Sequence, residues 1–296
     1  MNKDLLTIKD LNKDDILRLI HRGLEIKKAW IPADRPLTGR TLGLMFDKHS
    51  TRTRVSFEAA MYRLGGQTLF LNKDDTQMSR EEPIKDTARV LSRYLDALVI
   101  RTFAQEMVEE IAHWADIPVI NALTDKYHPC QVLSDLMTVM EKKGALDNLK
   151  VAWIGDGNNV AHSWINAARI LEFELMLACP PGYHPLPDVL DGSAENIQVV
   201  EDPARASAGA DVINADVWTS MGQDGEREQR LLDFKGFQVN GSLLKLCKPD
   251  VLVLHCLPAH RGEEITDEVL EGPFSVVFDQ AENKMHLHQA LLEMLL

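Results

Sequence analysis

No run of residues in the chain is long and apolar enough to span a bilayer as a helix, and Met1-Asn2-Lys3-Asp4-Leu5-Leu6 carries neither a signal-peptide core nor an Arg-rich transit segment. A cytoplasmic location is the expectation. Cysteine is scarce: Cys130, Cys179, Cys247 and Cys256 lie on or beside apolar runs, with no close Cys-x-x-Cys pair. They read as reduced thiols, not as a disulfide framework. A basic excess is missing too. The net charge of −13 argues against nucleic acid and anionic membrane surfaces as partners, because both reward positive charge. No internal repeat or low-complexity tract interrupts the chain.

What is present is apolar sequence cut into short pieces. With 296 residues and 45% apolar content, the chain is longer than one core usually serves, so two domains are expected. Short apolar runs at 41–46, 67–71, 97–100, 117–121, 151–154, 174–178, 197–200, 211–215, 251–254 and 275–278 alternate with segments of helical spacing. Alternation of this kind predicts an α/β fold with two Rossmann-like domains, each a parallel sheet with helices on both faces. The helix predicted over 131–142 is followed by Gly144, which sets the boundary between domains 1–144 and 145–296. Met285, His288, Leu292 and Leu295 place a last helix over 281–296, expected to fold back on the first domain. The Gly-rich stretch 219–225 suits a mobile lid.

The densest chemistry in the first half is Phe46-Asp47-Lys48-His49-Ser50-Thr51-Arg52-Thr53-Arg54. A strand-length apolar run ends there and a helix begins, so Ser50 to Thr53 occupy a helix N-terminus. Backbone N–H groups without intrahelical partners and the positive end of the macrodipole make that a place for phosphate. Ser50, Thr51 and Thr53 add neutral donors, and the planar guanidinium of Arg52 can grip two phosphate oxygens. A plain Ser N-cap with solvated arginines is the simpler alternative. With an acidic chain, any attraction for an anion must be local. Arg101, at the carboxyl end of a strand, stands where open parallel sheets put functional groups, although a strand-end Arg also serves as a surface ion-pair partner.

Three further motifs follow in order: His128-Pro129-Cys130-Gln131, Asp216-Val217-Trp218-Thr219-Ser220-Met221-Gly222 and His255-Cys256-Leu257-Pro258. Together with the Ser50 segment they resemble the carbamoyltransferases, most closely the branch acting on ornithine, from about Leu5 to the C-terminal helix. The resemblance implies transfer of the carbamoyl group of carbamoyl phosphate to the δ-amine of L-ornithine, giving citrulline and phosphate in arginine metabolism. It implies no cofactor and no metal. It also implies a homotrimer or a multiple of trimers, because Gln77 of one subunit reaches the site of its neighbour.

On that resemblance, Ser50, Thr51, Arg52, Thr53, Gln77 and Arg101 hold the phosphate. His128, Thr53 and Arg101 donate to the carbonyl oxygen, where charge grows in the tetrahedral intermediate, and Gln131 holds the carbamoyl NH2. Asp216 puts a carboxylate where a cationic amino acid binds, whereas an aspartate substrate wants the opposite charge. Asn159, Ser220 and the Met221 backbone match the residues that hold the α-amino and α-carboxyl groups. Cys256 and Leu257 meet the carbamoyl group and the attacking amine, and no acyl-cysteine is required. Lys284 departs from the pattern: Glu282-Asn283-Lys284 stands where the family often has Glu-Asn-Arg, keeping the charge and losing the fork.

Several other readings compete. Gly155-Asp156-Gly157 after a strand invites a dinucleotide site, but Asn159 and Val160 replace the later glycines of that fingerprint. A zinc site from His255, Cys256 and His260, with His128 or Cys130, is disfavoured because adjacent strand residues point to opposite faces. A sensor that binds a phosphate metabolite without turnover is a further reading, as is an acceptor other than ornithine, such as putrescine or an N-substituted ornithine.

Overall fold

The computed structural model describes residues 2–29, 35–72, 82–192, 195–220, 222 and 224–296. The elements in chain order are α1 (Lys13–Ala29), β1 (Thr41–Phe46), α2 (Thr51–Arg63), β2 (Gln67–Asn72), α3 (Ile84–Leu91), β3 (Ala97–Arg101), α4 (Gln105–Trp114), β4 (Val119–Leu123) and α5 (Pro129–Lys143). The second half has β5 (Lys150–Ile154), α6 (Asn159–Leu171), β6 (Glu174–Ala178), α7 (Pro187–Leu190), β7 (Ile197–Val200), α8 (Pro203–Ser207) and β8 (Val212–Ala215). It closes with α9 (Arg227–Asp233), α10 (Gly241–Leu244), β9 (Leu252–His255), α11 (Asp267–Leu270) and α12 (Val277–Leu295). Among the described residues no helix is long and apolar enough to cross a membrane.

The chain divides into two compact units, 1–137 with 282–296, and 138–281. In the first unit the sheet order is β2-β1-β3-β4, and every pairing is parallel. β1 and β3 are apolar along almost their whole length because helices cover both faces, which removes the polar alternation of a half-exposed strand. Leu98, Ile100, Val108 and Ile111 pack one side of this sheet. Leu95, past the end of α3 at Leu91, joins the same cluster. Asn12 caps α1, its Oδ1 accepting from the Asp15 N–H at 2.8 Å. Residues from Glu282 onward group with this unit. His288 stacks on Phe57 of α2 with ring centroids 3.6 Å apart, and Glu293 pairs with Arg22 of α1 at 2.7 Å.

In the second unit the order is β7-β6-β5-β8-β9, again wholly parallel. Its core is built from Ala152, Ile154, Ile213, Val253 and Phe234 with their neighbours. In both sheets the strand order reverses between two central strands, β1 and β3 in one, β5 and β8 in the other. Crevices at the carboxyl ends of such strands are where open α/β sheets bind ligands.

Two local expectations are corrected. Residues 275–278 form no strand: Ser275 makes one isolated parallel bridge to Val253, and α12 starts at Val277. Val276 donates to the Val253 carbonyl while its own carbonyl already accepts from the Gln280 N–H at 2.8 Å, so helix takes over after a single rung. The helix expected over 131–142 begins at Pro129, whose fixed φ and missing N–H suit a first helical position.

Candidate active site

In the first unit the helix start is built as its sequence implies. Ser50 is the N-cap of α2, accepting from the Thr53 N–H at 3.2 Å, so one hydroxyl does the capping while Thr51 and Arg52 stay exposed on the first turn. The simple N-cap and the anion cradle are therefore compatible. Arg101 is buried at the end of β3, paired in register with Phe46, the last residue of β1. A register shift between Ile100 and Arg101 against β4 sets that end of the strand.

Thr53, Gln131 and Lys284, from three separate helices, converge. Lys284 is 5% exposed, and its Nζ donates to Gln131 Oε1 at 2.8 Å and Thr53 Oγ1 at 3.2 Å. Gln131 Nε2 donates to Asp135 Oδ1 at 2.8 Å. The amide orientation is chemically fixed, since Lys only donates and a carboxylate only accepts. Accepting from Lys284 also leaves the Thr53 hydroxyl proton free to point elsewhere.

His128, just ahead of α5, is buried, and burial together with the charges of Lys284 and Arg101 holds its pKa well below the ordinary histidine value. It is a neutral imidazole with one N–H to give. His288 is pushed down in the same way, by burial and then Lys284, and its Nδ1 lies 3.0 Å from Ser56 Oγ, which itself donates to the Thr53 carbonyl. Gln77 lies outside the described residues.

In the second unit the register of the sheet explains the site. Ala215 pairs with His255 and Ile154 with Ala215, so Asp216, Cys256 and Gly155 are the next residues past three adjacent strand ends. Asp216 is buried and accepts from Asn158 Nδ2 at 2.8 Å, the Val217 N–H at 2.8 Å and the Cys256 thiol at 2.9 Å. Asn158 also caps α6, whose first residue is Asn159. Leu257 sits in the left-handed region at φ 56°, held where its N–H donates to His255 Nδ1 at 2.9 Å. Ser220 is half-buried, and Met221 lies outside the described residues, as does part of the expected lid.

Strand alternation does not keep His255 and Cys256 apart, because β9 ends at His255 and the chain turns at Cys256. Ligand atoms of Asp216, His255 and Cys256 come within 4.8 Å of one another. The weight against zinc comes from hydrogen bonding instead. With Nδ1 accepting from Leu257, Nε2 carries the hydrogen and faces Glu264 Oε1 at 3.2 Å, so both nitrogens of His255 are engaged. The two glycines of the 155–157 turn likewise have local reasons: Gly155 takes φ 134°, which L side chains rarely adopt, and Gly157 is held by packing. A Cβ on Gly157 would meet the Pro185 nitrogen at 2.2 Å, which places neighbouring backbone where the dinucleotide reading wanted a pyrophosphate.

Two matching family descriptions divide the chain in the same order. "Aspartate/ornithine carbamoyltransferase, carbamoyl-P binding domain" matches residues 3–141, and the Asp/Orn binding domain of the same family matches 147–295. The chain belongs to the aspartate/ornithine carbamoyltransferase family. Among its relatives, the ornithine carbamoyltransferase of Desulfotalea psychrophila is 56% identical over 99% of both chains. The solved ornithine carbamoyltransferase of Thermus thermophilus matches with a TM-score of 0.93 at 42% identity, covering 100% of this chain and 99% of the other. That of Pyrococcus furiosus gives 0.93 at 47% identity, covering 98% and 95%.

Several residues of these sites escaped the sequence reading. Asp156 and Arg230 form a buried pair at 2.8 Å, and Arg230 Nη1 also donates to the Trp218 carbonyl at 2.8 Å. The pair ties the turn before Asn159 to the chain just ahead of Ser220. Ser56 meets His288, Asp135 holds Gln131, Asn158 holds Asp216, and Glu264 faces His255. Only Asn158 had a legible signal, as the residue immediately before a helical run.

Proposed function

We propose that the chain transfers the carbamoyl group of carbamoyl phosphate to the δ-amine of L-ornithine, releasing citrulline and phosphate. The observation that carries the choice of acceptor is Asp216, a buried carboxylate at the end of β8, flanked by Asn158 and the Cys256 thiol. A cationic amino acid suits that carboxylate, and an aspartate acceptor would be repelled by it.

In this reading residues 1–144 bind carbamoyl phosphate and 145–296 bind ornithine. Ser50, Thr51, Arg52, Thr53 and Arg101 take the phosphate, with Gln77 supplied by a neighbouring subunit. The neutral His128, the free hydroxyl proton of Thr53 and Arg101 aim at the carbonyl oxygen, where each such donor is commonly worth about 3 kcal/mol of barrier. Gln131 and Lys284 flank the carbamoyl group. Asn159, Ser220 and the Met221 backbone hold the α-groups of ornithine, while Asp216, Cys256 and Leu257 orient the δ-amine. The amine sheds its proton before attack, and the leaving phosphate accepts one afterwards. Orientation supplies most of the acceleration, up to about 10 kcal/mol.

A homotrimer goes with this reading. It is supported by exposed apolar side chains on the first unit: Leu69 and Phe70 on the edge strand β2, and Val55 and Tyr62 of α2. A cytoplasmic role in arginine biosynthesis is the matching physiological assignment.

The test is to incubate purified protein with carbamoyl phosphate and, separately, ornithine, putrescine and aspartate, scoring carbamoylated product and phosphate. Citrulline from ornithine alone is the expected result. Product from putrescine would reassign the acceptor, and ligand-induced stabilisation without product would favour the sensor.

A further inference from the structure

Lys284 is the one feature of the proposed carbamoyl site that brings in new chemistry. An Arg at this position is permanently protonated and has no nucleophilic nitrogen, whereas a Lys amine becomes a nucleophile once it loses its proton. Its Nζ is 2.8 Å from Gln131 Oε1 and 3.2 Å from Thr53 Oγ1. In the reading above, which this inference rests on, those two atoms flank the carbamoyl NH2 and the carbonyl oxygen. The amine is thus one hydrogen bond away from each end of the group whose carbon is the electrophile.

We propose that Lys284 is a carbamoylation site of the enzyme itself, modified by its own carbamoyl phosphate when ornithine is absent. The Nζ ammonium first gives one proton to an oxygen of the bound phosphate dianion; the resulting amine attacks the carbonyl carbon, an N–C bond forms, and the bond from that carbon to the bridging oxygen breaks with its electron pair leaving on phosphate. The proton released from nitrogen passes to that phosphate. The product is an ε-carbamoyl-lysine, a neutral urea buried between Thr53 and Gln131 in place of a cation. Its formation removes a positive charge from the anion-binding region and fills the space the next carbamoyl group needs, so modification switches the subunit off. Ornithine protects, because its δ-amine consumes the reagent first. The step needs no reagent beyond the substrate, and a positioned amine gains the same advantage of orientation that serves the main reaction.

The experiment is peptide mass spectrometry on the intact protein after incubation with carbamoyl phosphate, in parallel with ornithine present and with cyanate alone. Cyanate is the test for solution chemistry, which favours exposed lysines such as Lys9 and Lys13. The expected result is carbamoyl label on Lys284 that accumulates ahead of Lys9 and Lys13 in carbamoyl phosphate, tracks the loss of activity and is suppressed by ornithine. In a Lys284→Arg protein both the label and the time-dependent loss should disappear. Label on Lys284 no faster than on the exposed lysines, or equal labelling by cyanate, overturns the proposal. Each preparation is first assayed for citrulline: turnover with an unmodified Lys284 rejects this inference alone, while no turnover with any amine rejects the functional reading and this inference with it.

Discussion

The thiol of Cys256 donates to Asp216 Oδ1 at 2.9 Å, across the ends of two neighbouring parallel strands. Neither residue is near the other in sequence, and their meeting follows from one register, Ala215 against His255. The pair gives the second unit a carboxylate with oriented donors on both oxygens. If Asp216 receives the ornithine ammonium, Asp216→Asn removes a hydrogen bond to a charged group, about 1.5–3 kcal/mol. The Michaelis constant for ornithine should rise roughly ten- to a hundredfold, with that for carbamoyl phosphate little changed. Steady-state kinetics on both substrates checks this, and an equal rise in both constants would count against the assignment.

Lys284 offers a point charge where the family often has a fork. Lys284→Arg should lower the Michaelis constant for carbamoyl phosphate by several-fold, up to about tenfold for one added charge-assisted hydrogen bond. Initial rates at fixed ornithine measure it, and an unchanged constant would show that the fork finds no partner.

His128 and His288 are both held well below the ordinary value of 6.5 by burial and by Lys284. Their contribution to stability is present above pH 6.5 and is lost as pH falls, because the unfolded chain takes up protons that the folded chain refuses. Each histidine steepens the fall by about 1.4 kcal/mol per pH unit in that range. Urea denaturation between pH 7 and 5 should show the slope, and a His288→Gln protein should show a shallower one.

Gly157 has no room for a side chain: a Cβ would lie 2.2 Å from the Pro185 nitrogen and 2.5 Å from the His184 carbonyl carbon. Both are backbone, so neither can rotate away. Gly157→Ala should destabilise by about 1–3 kcal/mol through overpacking. Because the turn carries Asn158 and Asn159, the Michaelis constant for ornithine should rise as well. Thermal denaturation and kinetics on one preparation test both.

The Asp156 and Arg230 pair is buried, with side chains 12% and 6% exposed. Burial pushes the Asp156 carboxyl up and the Arg230 charge opposes that shift. Arg230→Met strands the carboxylate and releases the Trp218 carbonyl, for an expected loss of about 3–5 kcal/mol. Adding Asp156→Asn should recover part of it, and a double-mutant cycle in denaturant would reveal a coupling near zero if the pair were idle.

The sequence by itself determined the alternation of strands and helices, the two parallel sheets and the motifs that mark the family, because all three are written locally. Fully apolar runs of strand length mean buried parallel strands, and a hydroxyl ahead of a helical run means a capped N-terminus. It also located the strand-end residues Arg101 and Asp216. Only the tertiary structure decided who meets whom. That Lys284 reaches Thr53 and Gln131, that His288 stacks on Phe57, and that Arg230 ties Asp156 to Trp218 depend on register and helix docking over separations of 153 and 231 residues in the case of Lys284. No local pattern encodes such distances. The failed strand at 275–278 has the same cause: its apolar residues fit either conformation, and the single bridge to Val253 followed by the turn of α12 settled the choice.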